Sequence, residues 1–252
     1  MPPVPLAQLR ARIAALEGRA CKVPTRHPRA SGDDEDPSDG LPWERMAAGG
    51  LHEIAAENVG GGIDHGATRG FAAFWLGRLA ARRDGPLLWT TAADDLYAPG
   101  LAALGLPVHR LVVVSPARSA EVPRVLEEAL RCPAVAAVAG ELWDLSMVAG
   151  RRLSLAARAS GVPALLLNRG AAVGSAVTRW RVGPAPSSHL PAFAVETGRW
   201  RAALIRCRGR ITGDDGMVAE WLVAANDAAG DVAGTAVSHV PGGMMVSHSQ
   251  RA

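Results

Sequence analysis

A glycine-rich segment, AENVGGGIDHGATRGF at residues 56–71, separates the apolar stretch GLHEIAA from the stretch FAAFWLGRLAARR. A glycine-rich turn between a strand and a helix is a typical phosphate site, because backbone amides and the helix N-terminus attract an anion. The phosphate-loop motif also needs a lysine followed by Ser or Thr. Lys22 is the only lysine in the chain and lies far upstream, and Asp64 adds a negative charge where phosphate would bind. The segment therefore predicts a degenerate phosphate loop with no bound cofactor, at positions Gly61, Gly62, Asp64, Gly66 and Thr68.

The carboxylates of an ATPase site are also displaced in the sequence. A magnesium-binding acid is expected at the end of an apolar strand, but the run AVAAVAG ends at Gly140, one residue before Glu141. Alternation of side chains along a strand would turn Glu141 to the other face. The run PLLWTT ends in Thr90 and Thr91, where a carboxylate that activates water would be expected. These departures predict that the protein has no catalytic residues.

Other catalytic patterns are missing from the sequence. None of the seven histidines forms a metal-binding H-x-x-x-H or H-E-x-x-H motif, so no metal site is predicted. His52 and Glu53 are adjacent on a predicted strand and should face opposite ways, so His52 is interpreted as a hydrogen-bonded structural residue. Ser115 and Ser146 lack the G-x-S-x-G turn of a serine hydrolase.

Apolar strands and helices alternate along the middle of the chain. Four helices are predicted at 67–83, 95–104, 120–131 and 144–160. Five short apolar runs predict strands at 51–55, 86–91, 110–115, 134–139 and 163–168. This order predicts an α/β fold with a mostly parallel sheet flanked by helices. The later segments TRWRVGP and WRAALIRCRGRI alternate polar and apolar residues, which predicts antiparallel edge strands on the C-terminal side.

Arginines are concentrated in one part of the chain. Residues 151–210 contain eleven arginines and the single acid Glu196. Arginines two residues apart on a strand point to the same face, which predicts a basic stripe that could bind DNA or an acidic partner. An arginine-rich solvated face is the alternative, and a packing role is the alternative for the tryptophan. The candidate contact residues are Arg179, Trp180, Arg181, Arg199, Arg201, Arg206, Arg208 and Arg210.

The two ends of the chain differ from its middle. Apolar residues at helical spacing predict a short amphipathic helix over residues 1–18, a candidate docking element, followed by an acidic flexible linker at 19–40. Residues 41–213 form the predicted core. Val218, Trp221, Leu222 and Ala225 recur at helical spacing, so residues 214–252 are interpreted as a helix and a mobile tail. The apolar seam of the first helix consists of Leu6, Leu9, Ile13 and Leu16.

Composition bounds the class of protein. No apolar run approaches the length of a membrane span, and three scattered cysteines argue against a disulfide framework. We therefore expect a cytoplasmic protein with reduced thiols, at least two of them in or near the core.

Several stretches resemble the ImuA family, RecA-related proteins of an error-prone polymerase cassette. The similarity covers residues 41–213 through GGLHEI, GPLLWTTAADDLYAPGLAALGL, ELWDLSMVAGRRLSLAARASGVPALLLNRG and TRWRVGPAPS. It implies a RecA-like core in which ALLLNRG resembles the strand that ends in an Asn-Gln pair, with Asn168 at the phosphate-sensing position and Arg169 beside it. The RecA lysine, magnesium acid and carboxylate have no counterparts near Ala67, Gly140 and Thr90.

The resemblance implies a non-enzymatic adaptor in damage-induced translesion DNA synthesis. Its implied partners are the Y-family-like protein ImuB, an error-prone C-family DNA polymerase and RecA, with the protein on the nucleoid when engaged. Two alternatives stay open at this point: an active RecA-superfamily ATPase and a stress-induced cell-division inhibitor.

Overall fold

A computed structural model describes residues 41–59, 62–63, 65–185, 198–208, 218–225 and 237–239. Its main element is a nine-stranded sheet in the order β11-β10-β9-β8-β1-β7-β6-β4-β5. The strands of this sheet are β1 Gly50–Ala56, β4 Leu87–Thr90, β5 Leu111–Val114, β6 Ala137–Leu142, β7 Pro163–Asn168, β8 Thr178–Pro184, β9 Arg199–Cys207, β10 Ala219–Ala224 and β11 Val237–His239. The described ranges contain the α-helices α1 Trp43–Ala47, α2 His65–Ala80, α3 Ala98–Ala103, α4 Val122–Leu130 and α5 Met147–Ser160.

The strand directions confirm the predicted α/β class. Strands β1 and β4 to β8 run parallel, whereas β9, β10 and β11 are antiparallel additions on one side. The prediction that TRWRVGP forms an antiparallel edge strand is wrong. This strand, β8, lies inside the sheet and pairs parallel with β1 and antiparallel with β9. It tolerates exposed arginines because only one of its faces is covered by apolar side chains.

Helix α2 fills the core on one face of the sheet. It follows a two-stranded hairpin, β2 Asn58–Val59 and β3 Gly62–Ile63, and is buried on several sides because its apolar residues surround its axis. Phe71 lies within 6.1 Å, ring centroid to centroid, of both Trp180 and Trp200. Aromatic packing of this kind fixes α2 across β8 and β9.

Helices α4 and α5 cover the opposite face of the parallel strands. Ser146 caps α5 by accepting a hydrogen bond from the Ala149 amide at 3.2 Å, and Gly161 ends the helix in the left-handed conformation, with φ 72°. Glu127 on α4 forms ion pairs with Arg131 and with Arg152 of α5, both at 2.6 Å. The Glu127–Arg152 pair joins the two helices, whereas the Glu127–Arg131 pair lies at the end of α4.

The C-terminal region corrects the predicted helix over residues 214 onward. Residues 219–224 form strand β10, in which Ala219, Trp221 and Val223 are buried and their neighbours are half-buried. The predicted tail contributes strand β11, which pairs with β10. The sheet therefore continues beyond the predicted core boundary at residue 213. The predicted N-terminal helix (1–18) with its seam, the predicted linker (19–40) and residues 240–252 lie outside the described residues.

Two further expectations concern cysteines and membranes. Cys132 and Cys207 are buried and are free thiols that form no disulfide, as predicted for reduced core thiols, while Cys21 lies outside the described ranges. None of the described helices is long and apolar enough to span a bilayer.

Candidate functional site

The carboxyl ends of the parallel strands and the first turn of α2 meet at one edge of the sheet. In α/β folds this edge is where ligands bind. Here a cluster of charged side chains occupies it, drawn from α2, from the segment after β4, from β6 and from the residue after β7. We call it the ion-pair cluster; its members are Arg69, Asp95, Glu141 and Arg169.

Arg69 and Glu141 form the centre of the ion-pair cluster. The Arg69 Nε and Nη2 atoms donate to the two carboxylate oxygens of Glu141 at 2.9 and 2.8 Å, which is the bidentate geometry that arginine forms best. The third nitrogen, Nη1, donates to Oδ2 of Asp95 at 2.8 Å. One guanidinium therefore joins α2 to β6 and to the segment that follows β4.

The position of Glu141 corrects the sequence prediction. Strand β6 ends at Leu142 rather than near Gly140, so Glu141 lies within the strand. Its side chain shares a face with Ala137 and Ala139, which pack in the α2 core, and is directed toward α2 rather than away from it. A carboxylate is thus present at this strand end, contrary to the prediction, and the cation it binds is Arg69.

Two more side chains complete the environment of the Glu141 carboxylate. The Trp89 Nε1 donates to it at 3.2 Å and the Arg169 Nη2 at 3.4 Å. The Arg169 guanidinium lies 4.7 Å from the Trp143 ring centroid, in cation–π geometry. Glu141 is only 7% exposed, so its charge is compensated inside the protein rather than by water.

The electrostatics of the ion-pair cluster follow from these hydrogen bonds. Burial by itself lowers the pKa of Arg69, but the hydrogen bonds and charges of Glu141 and Asp95 outweigh it and raise that pKa above the ordinary value. The hydrogen bond from Arg69 likewise lowers the pKa of Asp95 below its usual range. Arg69 and Asp95 are therefore both ionised at neutral pH. A phosphate at this position would compete with Glu141 and Asp95 for the Arg69 guanidinium. Mg²⁺ would compete with Arg69 for the same carboxylates.

The glycine-rich positions are only partly visible. Gly62 lies in β3, Gly66 is exposed in the first turn of α2, and Thr68 is buried with its hydroxyl donating to the His65 carbonyl at 2.9 Å. That internal bond directs the Thr68 hydroxyl to its own helix. Gly61 and Asp64 lie outside the described residues, so the predicted degenerate loop stays a prediction.

Asn168 belongs to a second polar group, on the opposite face of the sheet from α2. Its Nδ2 donates to Oε1 of Glu53 and to the Ala171 carbonyl, both at 2.7 Å, while its Oδ1 accepts from the Gly170 amide. Glu53 also accepts from the Val173 amide and, at 2.8 Å, from Arg179 Nε. The Asn168 amide therefore stabilises the turn after β7. It does not lie on the α2 side of the sheet, where a phosphate would bind.

His52 has the structural role that the sequence predicts. It is fully buried and faces Trp75 and α2, opposite to Glu53. The Ala48 carbonyl can only accept, so His52 Nε2 carries the proton and donates at 3.2 Å, and Nδ1 accepts from the Thr178 hydroxyl at 2.8 Å. Thr178 Oγ1 in turn accepts from Trp180 Nε1 at 2.9 Å. Desolvation lowers the pKa of His52 from 6.5 to about 4, so the ring is neutral at pH 7.

The candidate contact residues divide between two faces of strands β8 and β9. Arg179 pairs directly with Arg206, and Arg181 pairs with Ala203, so their side chains share one face with the other arginines of β9. Trp180 lies on the other face and is fully buried, as is Trp200 apart from 3% of its surface. Trp180 is therefore a packing residue and not a surface contact. Arg210 lies outside the described residues.

The sequence alone does not predict the ion-pair cluster. Arg69 lies inside the glycine-rich segment, four residues after the start of α2, but its partner is 72 residues away. The only signal is Glu141 immediately after an apolar run, which an extension of that strand brings into the site. Within the described ranges, no three His, Cys, Asp or Glu side chains lie close enough together to hold a metal ion.

The fold and the ion-pair cluster define an α/β protein whose usual ligand-binding edge is closed by its own charges. The chain matches no family model. It is 35% identical over 208 residues to Protein ImuA of Caulobacter vibrioides strain NA1000 / CB15N, and equally to that of strain ATCC 19089 / CIP 103742 / CB 15. Each match covers 76% of this chain and 79% of the relative. The chain therefore belongs to the ImuA family.

The chain is also similar to solved structures, among them a SulA protein. SulA from Pseudomonas aeruginosa shares 23% identity with a TM-score of 0.40, over 48% of this chain and 98% of the SulA chain. A TM-score this low supports no conclusion about a shared fold or function.

Proposed function

We propose that this protein is a non-enzymatic adaptor in damage-induced translesion DNA synthesis. The observation that carries the proposal is membership of the ImuA family, through 35% identity over 208 residues. From this family membership we propose three partners: an ImuB-like Y-family protein, an error-prone C-family DNA polymerase and RecA. We propose that these partners bind to the N-terminal seam of Leu6, Leu9, Ile13 and Leu16 and to the C-terminal region.

The ion-pair cluster supports a role without ATP hydrolysis. Catalysis of phosphoryl transfer depends on cations that neutralise the phosphates and on a carboxylate that holds Mg²⁺. The only lysine in the chain, Lys22, lies far upstream of α2 in the sequence, and the carboxylate of Glu141 is bound on both oxygens by Arg69. Binding Mg²⁺ there would require the bidentate pair to break and would leave Arg69 with only the exposed Asp95 as its partner. Loss of the buried partner of this guanidinium opposes that exchange.

Nucleotide binding is tested by isothermal titration of the full-length chain with ATP and Mg²⁺. We expect no saturable heat. Gly66, exposed in the first turn of α2, is the residue to enlarge, as Gly66→Leu. Gly174→Leu is the matched control, because an added side chain at Gly174 meets nothing within 4 Å. Micromolar binding that Gly66→Leu abolishes and Gly174→Leu preserves would establish a working nucleotide site and overturn this part of the proposal.

The adaptor role is tested by co-purification of the full-length chain with the ImuB-like protein, the C-family polymerase, RecA and the cell-division GTPase. We expect retention of at least one polymerase-cassette protein. Retention of the division GTPase alone would favour the inhibitor alternative. Truncations should remove residues 1–40 or 240–252 and leave 214–239 intact, because β10 and β11 are integral strands of the sheet. Loss of a partner from the first truncation only would assign docking to the N-terminal seam.

A further inference from the structure

Strands β8 and β9 carry five arginines on the face opposite α2, and a sixth follows directly after β9. We call this the arginine face. Side chains along these strands alternate between the two faces of the sheet. Trp180 and Trp200 are buried on the α2 side, while on the other side Arg181 is exposed and the Arg201 side chain is 43% exposed. The members are Arg179, Arg181, Arg199, Arg201, Arg206 and Arg208.

Three glutamates lie among these arginines. Glu53 pairs with Arg179 at 2.8 Å, Glu57 pairs with Arg201 at 2.9 Å, and Glu220 on β10 lies 3.7 Å from Arg201. Six arginines and three glutamates leave a net charge of +3 on the described residues of the arginine face. Two of the three acids, Glu57 and Glu220, are directed to the same arginine, Arg201.

The register of the sheet adds a second observation. Arg179 and Arg206 are directly opposite each other on β8 and β9, and like charges in that arrangement destabilise a sheet unless an anion lies between them. The Glu53 carboxylate does not pair with both Arg179 and Arg206. Its two oxygens already accept from Asn168, Arg179 and, twice, from the Val173 amide, which fills the acceptor sites of a carboxylate. An external anion would relieve the repulsion.

We infer that the arginine face binds the phosphate backbone of double-stranded DNA without reading its sequence. Duplex DNA presents one negative charge per about 1.7 Å of its axis, and alternate residues of a strand place arginines about 6–7 Å apart along it. The tryptophan rings of strands β8, β9 and β10, those of Trp180, Trp200 and Trp221, are all buried on the opposite face. The arginine face therefore has cations for phosphates and no stacking platform for single strands. This inference goes beyond the proposed protein partners and does not depend on them.

The test is fluorescence anisotropy of the full-length chain with a labelled duplex of arbitrary sequence and with its single strand. We expect duplex binding at about 50 mM salt that falls steeply toward about 200 mM. Changing Arg181, Arg206 and Arg208 together to Gln should weaken binding by about tenfold or more and reduce the salt slope by about three, one for each arginine removed. The matched control changes three exposed arginines of α4 and α5, Arg124, Arg151 and Arg158, to Gln, which removes the same charge elsewhere.

The outcomes separate the alternatives. Retained binding in the control, with weakened binding in the arginine-face variant and an unchanged urea midpoint in both, supports the inference. Absence of duplex binding by the wild-type chain, equal weakening in the control, or tighter binding of the single strand would overturn it. If the arginine-face variant no longer co-purified with a polymerase-cassette protein while DNA binding stayed unchanged, the face would be a protein-docking surface. Co-purification of the wild-type chain without DNA binding would refute this inference alone and leave the adaptor role standing.

Discussion

Acidification should destabilise the protein through His52. The ring is fully buried, and its hydrogen bonds to Ala48 and Thr178 require the neutral form. Its pKa is about 4 in the folded chain and 6.5 when the chain unfolds and the ring meets water. Between these values the unfolded chain binds a proton that the folded chain does not. The stabilising contribution is therefore complete above pH 6.5 and is lost as the pH falls toward 4.

The size of the effect follows from the two pKa values. Once the pH is below 4 the difference corresponds to about 3 kcal/mol of unfolding free energy, because one pKa unit is worth about 1.4 kcal/mol. Most of this loss of unfolding free energy falls between pH 7 and pH 5, where it is easy to measure. Between pH 7 and pH 5 the free energy of unfolding should decrease by about 2 kcal/mol from His52 alone.

Urea unfolding at pH 5, 6 and 7 measures this dependence. His52→Asn removes the titrating ring, so its unfolding free energy should vary about 2 kcal/mol less over that interval than that of the wild-type chain, although it should be less stable at pH 7. His109→Asn is the control, since His109 is exposed and should leave the pH dependence unchanged. The reasoning is refuted if His52→Asn retains the wild-type pH dependence, or if proton NMR shows the His52 ring titrating near 6.5.

Three further changes test the ion-pair cluster and the packing of the turns by urea unfolding. Arg69→Gln should cost about 3 kcal/mol because it leaves the buried Glu141 without its bidentate partner and with only the longer contact to Arg169, and adding Glu141→Gln should recover part of that loss; additive costs would contradict the pairing. Arg110→Ala should cost about 2 kcal/mol, since Arg110 donates to three backbone carbonyls at the end of α2 and beyond it, and a cost below about 0.5 kcal/mol would show these bonds to be dispensable. Gly85→Ala should cost more than about 1 kcal/mol, because φ there is 107° and an added Cβ would meet the Ala134 carbonyl; an unchanged urea midpoint would be the contrary result.

Most of the parallel part of the sheet is predictable because β4, β6, β7 and most of β1 are buried on both faces, although β5 at the edge leaves Val113 exposed. The run PALLLN forms β7 with the predicted bounds, and the apolar runs before it form β1, β4, β5 and β6. Such runs need no partner information to be recognised, since few other elements bury every successive side chain.

The end of β6 and the identity of β10 are not predictable, for a different reason. A buried carboxylate is costly, which favours placing Glu141 beyond the strand, and its compensation by Arg69 comes from a distant part of the chain. In residues 218–225, Trp221 fits both a helical and an alternating pattern, because alanines and valines surround it. Pairing with β9 decides between the two patterns, and no local signal contains that pairing.

The bidentate pairing of Arg69 with Glu141 also affects how the protein responds to its surroundings. A guanidinium that is part of the polypeptide is present from the moment of synthesis, and its availability does not change with cellular levels of ATP or free Mg²⁺. The connection between α2 and β6 is therefore permanent, where a bound nucleotide would make it depend on energy charge and would release it after hydrolysis. For the proposed adaptor, the time spent in a complex would therefore be set by the dissociation rate of that complex and not by nucleotide hydrolysis.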